Sequence, residues 1–97
     1  MNLIESIKSE KPTLVNFYAV WCTPCHMMKP NLEEVTAKLG DSINFERIDV
    51  DQHRELSTVF QIRNVPTTMI FKNNDLIWRE SGVVQPAVLV KMLEDLV

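Results

Sequence analysis

Apolar positions along this chain change period several times, and each change marks an element. Leu3, Ile4 and Ile7 fall at helical spacing behind Asn2, a helix-capping residue type, and Pro12 bars extension, which predicts a short helix over residues 2–10. Thr13 to Ala19 reads differently: Leu14 and Tyr18 face one side, Val15 and Phe17 the other, so both sides are apolar and a central, doubly covered strand is predicted. From Cys25 to Leu39 the helical period returns. Met28, Leu32, Val35 and Leu39 form one stripe, Gly40 provides a stop, and Pro30 predicts an internal kink. Residues 43–50 read as the next strand, reached through a helix and so predicted to lie parallel to the first.

Leu56, Val59 and Phe60 mark a helix of about two turns. Residues 67–72 and 76–81 read as strands joined at Asn73-Asn74-Asp75, residue types that tolerate positive φ in a tight hairpin. Pro86 then opens a last helix with Leu89, Met92, Leu93 and Leu96 on its buried face. The order α-β-α-β-α-β-β-α, uninterrupted by repeat or linker, predicts a single α/β domain over residues 1–97.

Composition narrows the function classes. A chain of 97 residues that is 45% hydrophobic can bury a core without needing metals or disulfides to fold, so its cysteines are not required as scaffolding. The net charge is −3 and the basic residues are scattered, which leaves no basic stripe for nucleic acid and no polybasic membrane patch. No segment approaches 18 apolar residues and the start has no signal-peptide pattern, so a cytoplasmic location, without a membrane partner, is the expectation. In a reducing compartment, close cysteines point to catalysis or metal binding rather than to a structural bond.

Both cysteines, Cys22 and Cys25, sit between the first predicted strand and the helix after it. A sulfur at a helix start lies near unpaired backbone N–H groups and the positive end of the dipole, which favour thiolate and make Cys22 the candidate nucleophile. Cys25, one turn on, would displace a bound client. Two other uses share these letters. Cys22-Thr23-Pro24-Cys25-His26 fits the C-x-x-C-H haem-attachment pattern, although a strand leading straight into the motif argues against it. A zinc site would need two further ligands, and only His26 and the distant His53 are available, so no metal site is predicted.

Trp21-Cys22-Thr23-Pro24-Cys25 resembles the Trp-Cys-Gly-Pro-Cys of the thioredoxin family, and Val65-Pro66-Thr67 resembles that family's apolar-Pro-Thr, whose proline is cis and faces the disulfide. Gly82 resembles the glycine that lets a client chain approach. The resemblance implies a thioredoxin fold and thiol-disulfide exchange through a Cys22-Cys25 disulfide. It further implies client docking on Trp21, Val65, Pro66 and Gly82, re-reduction by a thioredoxin reductase, a monomer, and no bound cofactor, the two sulfurs carrying both electrons.

The chain departs from the family in four places. Asn16 replaces the buried aspartate beneath the second cysteine, Thr23 replaces a glycine, and His26 replaces a lysine. The family's first strand has no counterpart, so a four-stranded mixed sheet is expected, with the second strand at its edge. Pro24 and Pro66 also have plain backbone readings, as a helix opener and a residue before a strand. Thr23 and His26 are expected to tune the disulfide. Arg47, where the family has a lysine facing the aspartate, is expected to turn to Glu46, Glu10 or solvent. Because an amide cannot accept a proton near neutral pH, slow resolution by Cys25 is expected. A scaffold module with slow redox turnover is the alternative to a working reductase.

Overall fold

In the computed structural model, which describes residues 2–97, the Asn2 side chain caps α1 (Leu3–Lys8) by accepting from the Glu5 N–H at 2.9 Å. The helix ends two residues before the predicted limit, where Ser9 turns extended ahead of Pro12. β1 (Thr13–Tyr18) follows, then α2 (Thr23–Leu39), a turn of 3-10 helix, β2 (Asn44–Asp49), α3 (Arg54–Val59), β3 (Thr67–Lys72), β4 (Asp75–Ser81) and α4 (Pro86–Glu94). The observed order matches the predicted one, and α2 accommodates Pro30 without breaking.

The sheet runs β2-β1-β3-β4, with β1 parallel to β2 and antiparallel to β3, and β3 antiparallel to β4. It is the four-stranded mixed sheet expected, with β2 at an edge. β3 and β4 join through Asn73 and Asn74 alone, at φ 52° and 70°, so Asp75 begins β4 rather than completing the turn.

Strand alternation sorts the core onto two faces. Leu14 and Ile70 pack with Met28, Leu32 and Val35 of α2 and Leu89, Val90 and Leu93 of α4. Val15, Phe17, Met69 and Phe71 pack on the other face with Leu3 and Ile7 of α1, and Leu56 and Phe60 close that side. β1, apolar on both sides, is buried on both, as its sequence predicted. Asn16, between Val15 and Phe17, is carried into the interior by the same strand.

Candidate active site

β1 ends at Tyr18 and delivers the chain, through Ala19 to Trp21, to the start of α2. Cys22 is the N-cap of that helix: it is extended (φ −94°, ψ 111°), and its sulfur accepts from the Cys25 N–H at 3.2 Å. Thr23 and Pro24 form the exposed first turn, where a proline forfeits no helical hydrogen bond. The two cysteines are joined as a disulfide with Cα atoms 5.3 Å apart. Each sulfur is thereby bonded to the other, which leaves neither for a haem thioether. Cys25 is 1% exposed and Cys22 4%, and both pack with Ala19, Tyr18, Val50 and Val65.

The approach to the sulfurs is built from distant segments. The Val65-Pro66 peptide bond is cis, and the Val65 carbonyl oxygen lies 3.6 Å from Cys22 Sγ. The Gly82 N–H donates to the Pro66 carbonyl at 2.8 Å, which ties the end of β4 to this loop. Gly82 has φ 95°, and a Cβ there would meet nothing within 4 Å, so its backbone conformation demands glycine while the space beside it stays open. Trp21 is 68% exposed, its ring anchored by Nε1 donating to Asp51 at 2.8 Å. Between Trp21 and Val65 lies a groove of about 130 Å³, completed by Val50, Ile62, Arg63 and Asn64. A larger hollow of about 400 Å³ at the head of α3 holds neither cysteine.

Beneath the helix start lies a polar cluster in the interior. Asn16 is fully buried; its Nδ2 donates to Thr68 Oγ1 at 3.1 Å, and its Oδ1 accepts from Arg47 Nε at 3.4 Å. Arg47 Nη2 donates to the Cys25 carbonyl at 3.4 Å, and the guanidinium lies 3.9 Å from the centre of the Tyr18 ring. This corrects the sequence-based assignment of Arg47. Glu46 accepts from Ser6 Oγ instead, and Arg47 turns inward because the parallel register pairs it with Asn16. His26 is exposed, and its Nε2 lies 2.8 Å from the Val20 carbonyl; a carbonyl only accepts, so Nε2 carries the hydrogen. That contact anchors the turn before Cys22.

Sequence reasoning missed four contacts. Asp51 orients Trp21 from across a turn. Thr68 supports Asn16 from β3. Met28 and Asn31 of α2 hold both backbone groups of Val84, Sδ accepting its N–H at 3.3 Å and Nδ2 donating to its carbonyl at 3.0 Å, and so fix the segment after Gly82. None leaves a local pattern, since each depends on a partner at least 30 positions away. Among the described residues no group of three His, Cys, Asp or Glu side chains is placed to hold a metal ion, and no helix is long and apolar enough to cross a membrane.

A helix-capping disulfide facing a cis-proline loop is matched by family comparison: residues 2–95 fit the profile described as Thioredoxin. The chain belongs to the thioredoxin family. It is 44% identical over 87 residues to thioredoxin Y, chloroplastic, of Oryza sativa subsp. japonica, covering 90% of this chain but only 52% of that protein, about half its length. It is 43% identical over 86 residues to a thioredoxin-like protein of Synechocystis, covering 89% of this chain and 82% of that one. Mitochondrial thioredoxin 3 of Saccharomyces cerevisiae, in oxidised form, shares the fold with a TM-score of 0.79 at 31% identity, over 92% of this chain and 82% of that one. Thioredoxins work by thiol-disulfide exchange with disulfide clients and with thioredoxin reductase, and the CxxC disulfide of that chemistry is the one at the head of α2.

Proposed function

We propose that this chain reduces disulfides in client proteins as a monomer, with Cys22 as nucleophile and Cys25 as resolving thiol. The observation that carries the reading is the Cys22 sulfur at the N-cap of α2, where the Cys25 N–H and the helix dipole favour its thiolate. Cys22 attacks one client sulfur, and the other leaves as a thiolate. Cys25 then attacks Cys22, forms the intramolecular disulfide and releases the second client sulfur, so the client gains the two electrons the dithiol loses. The sulfurs carry both electrons, so the cycle calls for no bound cofactor, and a thioredoxin reductase restores the dithiol.

Trp21, Val65, Pro66 and Gly82 form the client surface in this reading, supported by the exposed indole, the open space at Gly82 and the groove beside Val65. Thr23, Pro24 and His26 shape the turn that presents Cys22. The cycle suits a reducing compartment, the cytoplasm in the first instance; the rice relative is a chloroplastic protein. Asn16 supplies no proton acceptor, so the Cys25 proton passes to water.

Insulin reduction with dithiothreitol tests the proposal. The wild-type chain is expected to accelerate precipitation well above background, and Cys25→Ser to accumulate a mixed disulfide with little turnover. A wild-type rate at background would leave only a scaffold role for the thioredoxin surface.

A further inference from the structure

Resolution requires the Cys25 thiol to lose its proton inside the protein, and this chain places a cation against Cys25 where it has no carboxylate. Arg47 reaches the Cys25 carbonyl with Nη2, is held by Asn16 through Nε, and has its guanidinium carbon 3.9 Å from the centre of the Tyr18 ring. Its contacts inside the cluster are all neutral, so its charge is not cancelled there. We infer that Arg47 is a positioning residue of the resolving step, its charge favouring the Cys25 thiolate while Asn16 and Tyr18 fix the guanidinium beneath the first turn of α2. The inference rests on the exchange reaction proposed above.

The other charged groups facing this region are already committed or exposed. On β1, Tyr18 offers its ring face. On β2, Asp49 lies two residues after Arg47 on the same face, and its carboxylate accepts from the Asp51 N–H, while the Asp51 carboxylate holds Trp21. On α2, His26 is bound to the Val20 carbonyl on the exposed side of the turn, and Lys29 is exposed. From the proline loop, Arg63 is exposed in the groove. Arg47 is the half-buried cation in contact with Cys25 itself.

The step balances as follows. The Cys25 S–H bond breaks and its proton goes to water. The thiolate attacks Cys22, the Cys22–client bond breaks, the Cys22-Cys25 bond forms, and the client thiolate leaves with the electron pair. Because only the thiolate attacks, the rate should rise with pH to a plateau, and the midpoint reports how strongly the site favours the anion. An opposite charge within about 4–6 Å of a titrating group shifts its midpoint by about one pH unit or more.

Stopped-flow reaction of the reduced chain with an aromatic disulfide separates the two steps, because each releases one coloured thiolate. The first burst reports Cys22 attack and the second reports resolution by Cys25. Arg47→Gln, which keeps a donor for Asn16 at the place of Nε but carries no charge, is expected to move the second midpoint up by about one pH unit. The second burst would then be about tenfold slower near neutral pH, with the first within about twofold of wild type. Arg47→Lys should restore most of the rate, and Arg47→Met provides a second neutral variant should the Gln variant misfold. A second midpoint unmoved in the neutral variants, or equal slowing of both bursts, would overturn the assignment. Absence of the first burst in the wild type would instead overturn the exchange reading.

Discussion

Replacing Asn16 by aspartate exchanges an amide for a carboxylate of nearly the same shape at a fully buried position, so packing is held and charge alone changes. Burying the carboxylate costs several kcal/mol. Arg47 Nε, at 3.4 Å from Asn16 Oδ1, would offset part of that: two unit charges about 4 Å apart attract by about 4 kcal/mol at an effective dielectric of about 20. Arg47 is only half-buried, and solvent screening halves the figure to about 2 kcal/mol. Thr68 Oγ1, which accepts from the amide, can turn its hydroxyl to donate instead. The net expectation for Asn16→Asp is a loss of about 2 kcal/mol at pH 7.

The sign with pH follows from the same balance. Burial outweighs pairing, so the introduced carboxyl titrates higher in the folded chain than in the unfolded one, where the value is about 3.9. Below that value both states are protonated and the acid can donate to Thr68 as the amide does, leaving a loss under about 1 kcal/mol. The penalty then grows as pH rises and levels off above the folded titration point. Urea unfolding of both proteins at pH 4 and pH 7, with the disulfide intact so that neither sulfur titrates, measures the difference. An equal loss at both pH values, or a smaller one at pH 7, would refute the reasoning and show that the pair with Arg47 dominates.

Asn31→Ala removes the donor to the Val84 carbonyl and loosens the segment behind Gly82; KM for insulin should rise a few-fold with kcat held, for a stability loss of about 1 kcal/mol in urea unfolding. Leu14→Ala opens a cavity where β1 meets α2 and α4, and urea unfolding should show a loss of about 2–5 kcal/mol with the rate of mixed-disulfide formation unchanged.

The elements most legible in the sequence are those whose environment is uniform along their length. β1 is buried on both faces and reads as apolar on both sides apart from Asn16, while the stripe predicted for α4 buries Leu89 and Leu93 and leaves Met92 and Leu96 partly buried at the edge of the core. The apolar period starts α2 at Cys25, two residues late, because its first turn, Thr23 and Pro24, is exposed and carries no apolar stripe. Arg47 was misread for a definable reason. Local sequence offers Glu46 as its neighbour, yet adjacent strand residues point to opposite faces, and Glu46 goes to Ser6 while Arg47 goes inward. What decides the matter is the pairing of Asn16 with Arg47 across parallel strands, set by the α2 crossover and by the burial of β1.

That register gives the asparagine a consequence that composition alone conceals. A carboxylate at position 16 would face the Arg47 guanidinium directly and cancel its charge; the amide accepts the same Nε–H and leaves the charge intact. Nη2 then donates to the Cys25 carbonyl, and the guanidinium carbon lies 3.9 Å from the centre of the Tyr18 ring. Asn16 in place of aspartate therefore does more than remove a proton acceptor: it raises the net charge beneath the second cysteine by one, in the direction that favours a thiolate there. The same substitution that denies Cys25 a base gives it a counter-ion, and the pH profile of the second burst measures which of the two effects governs release of the client.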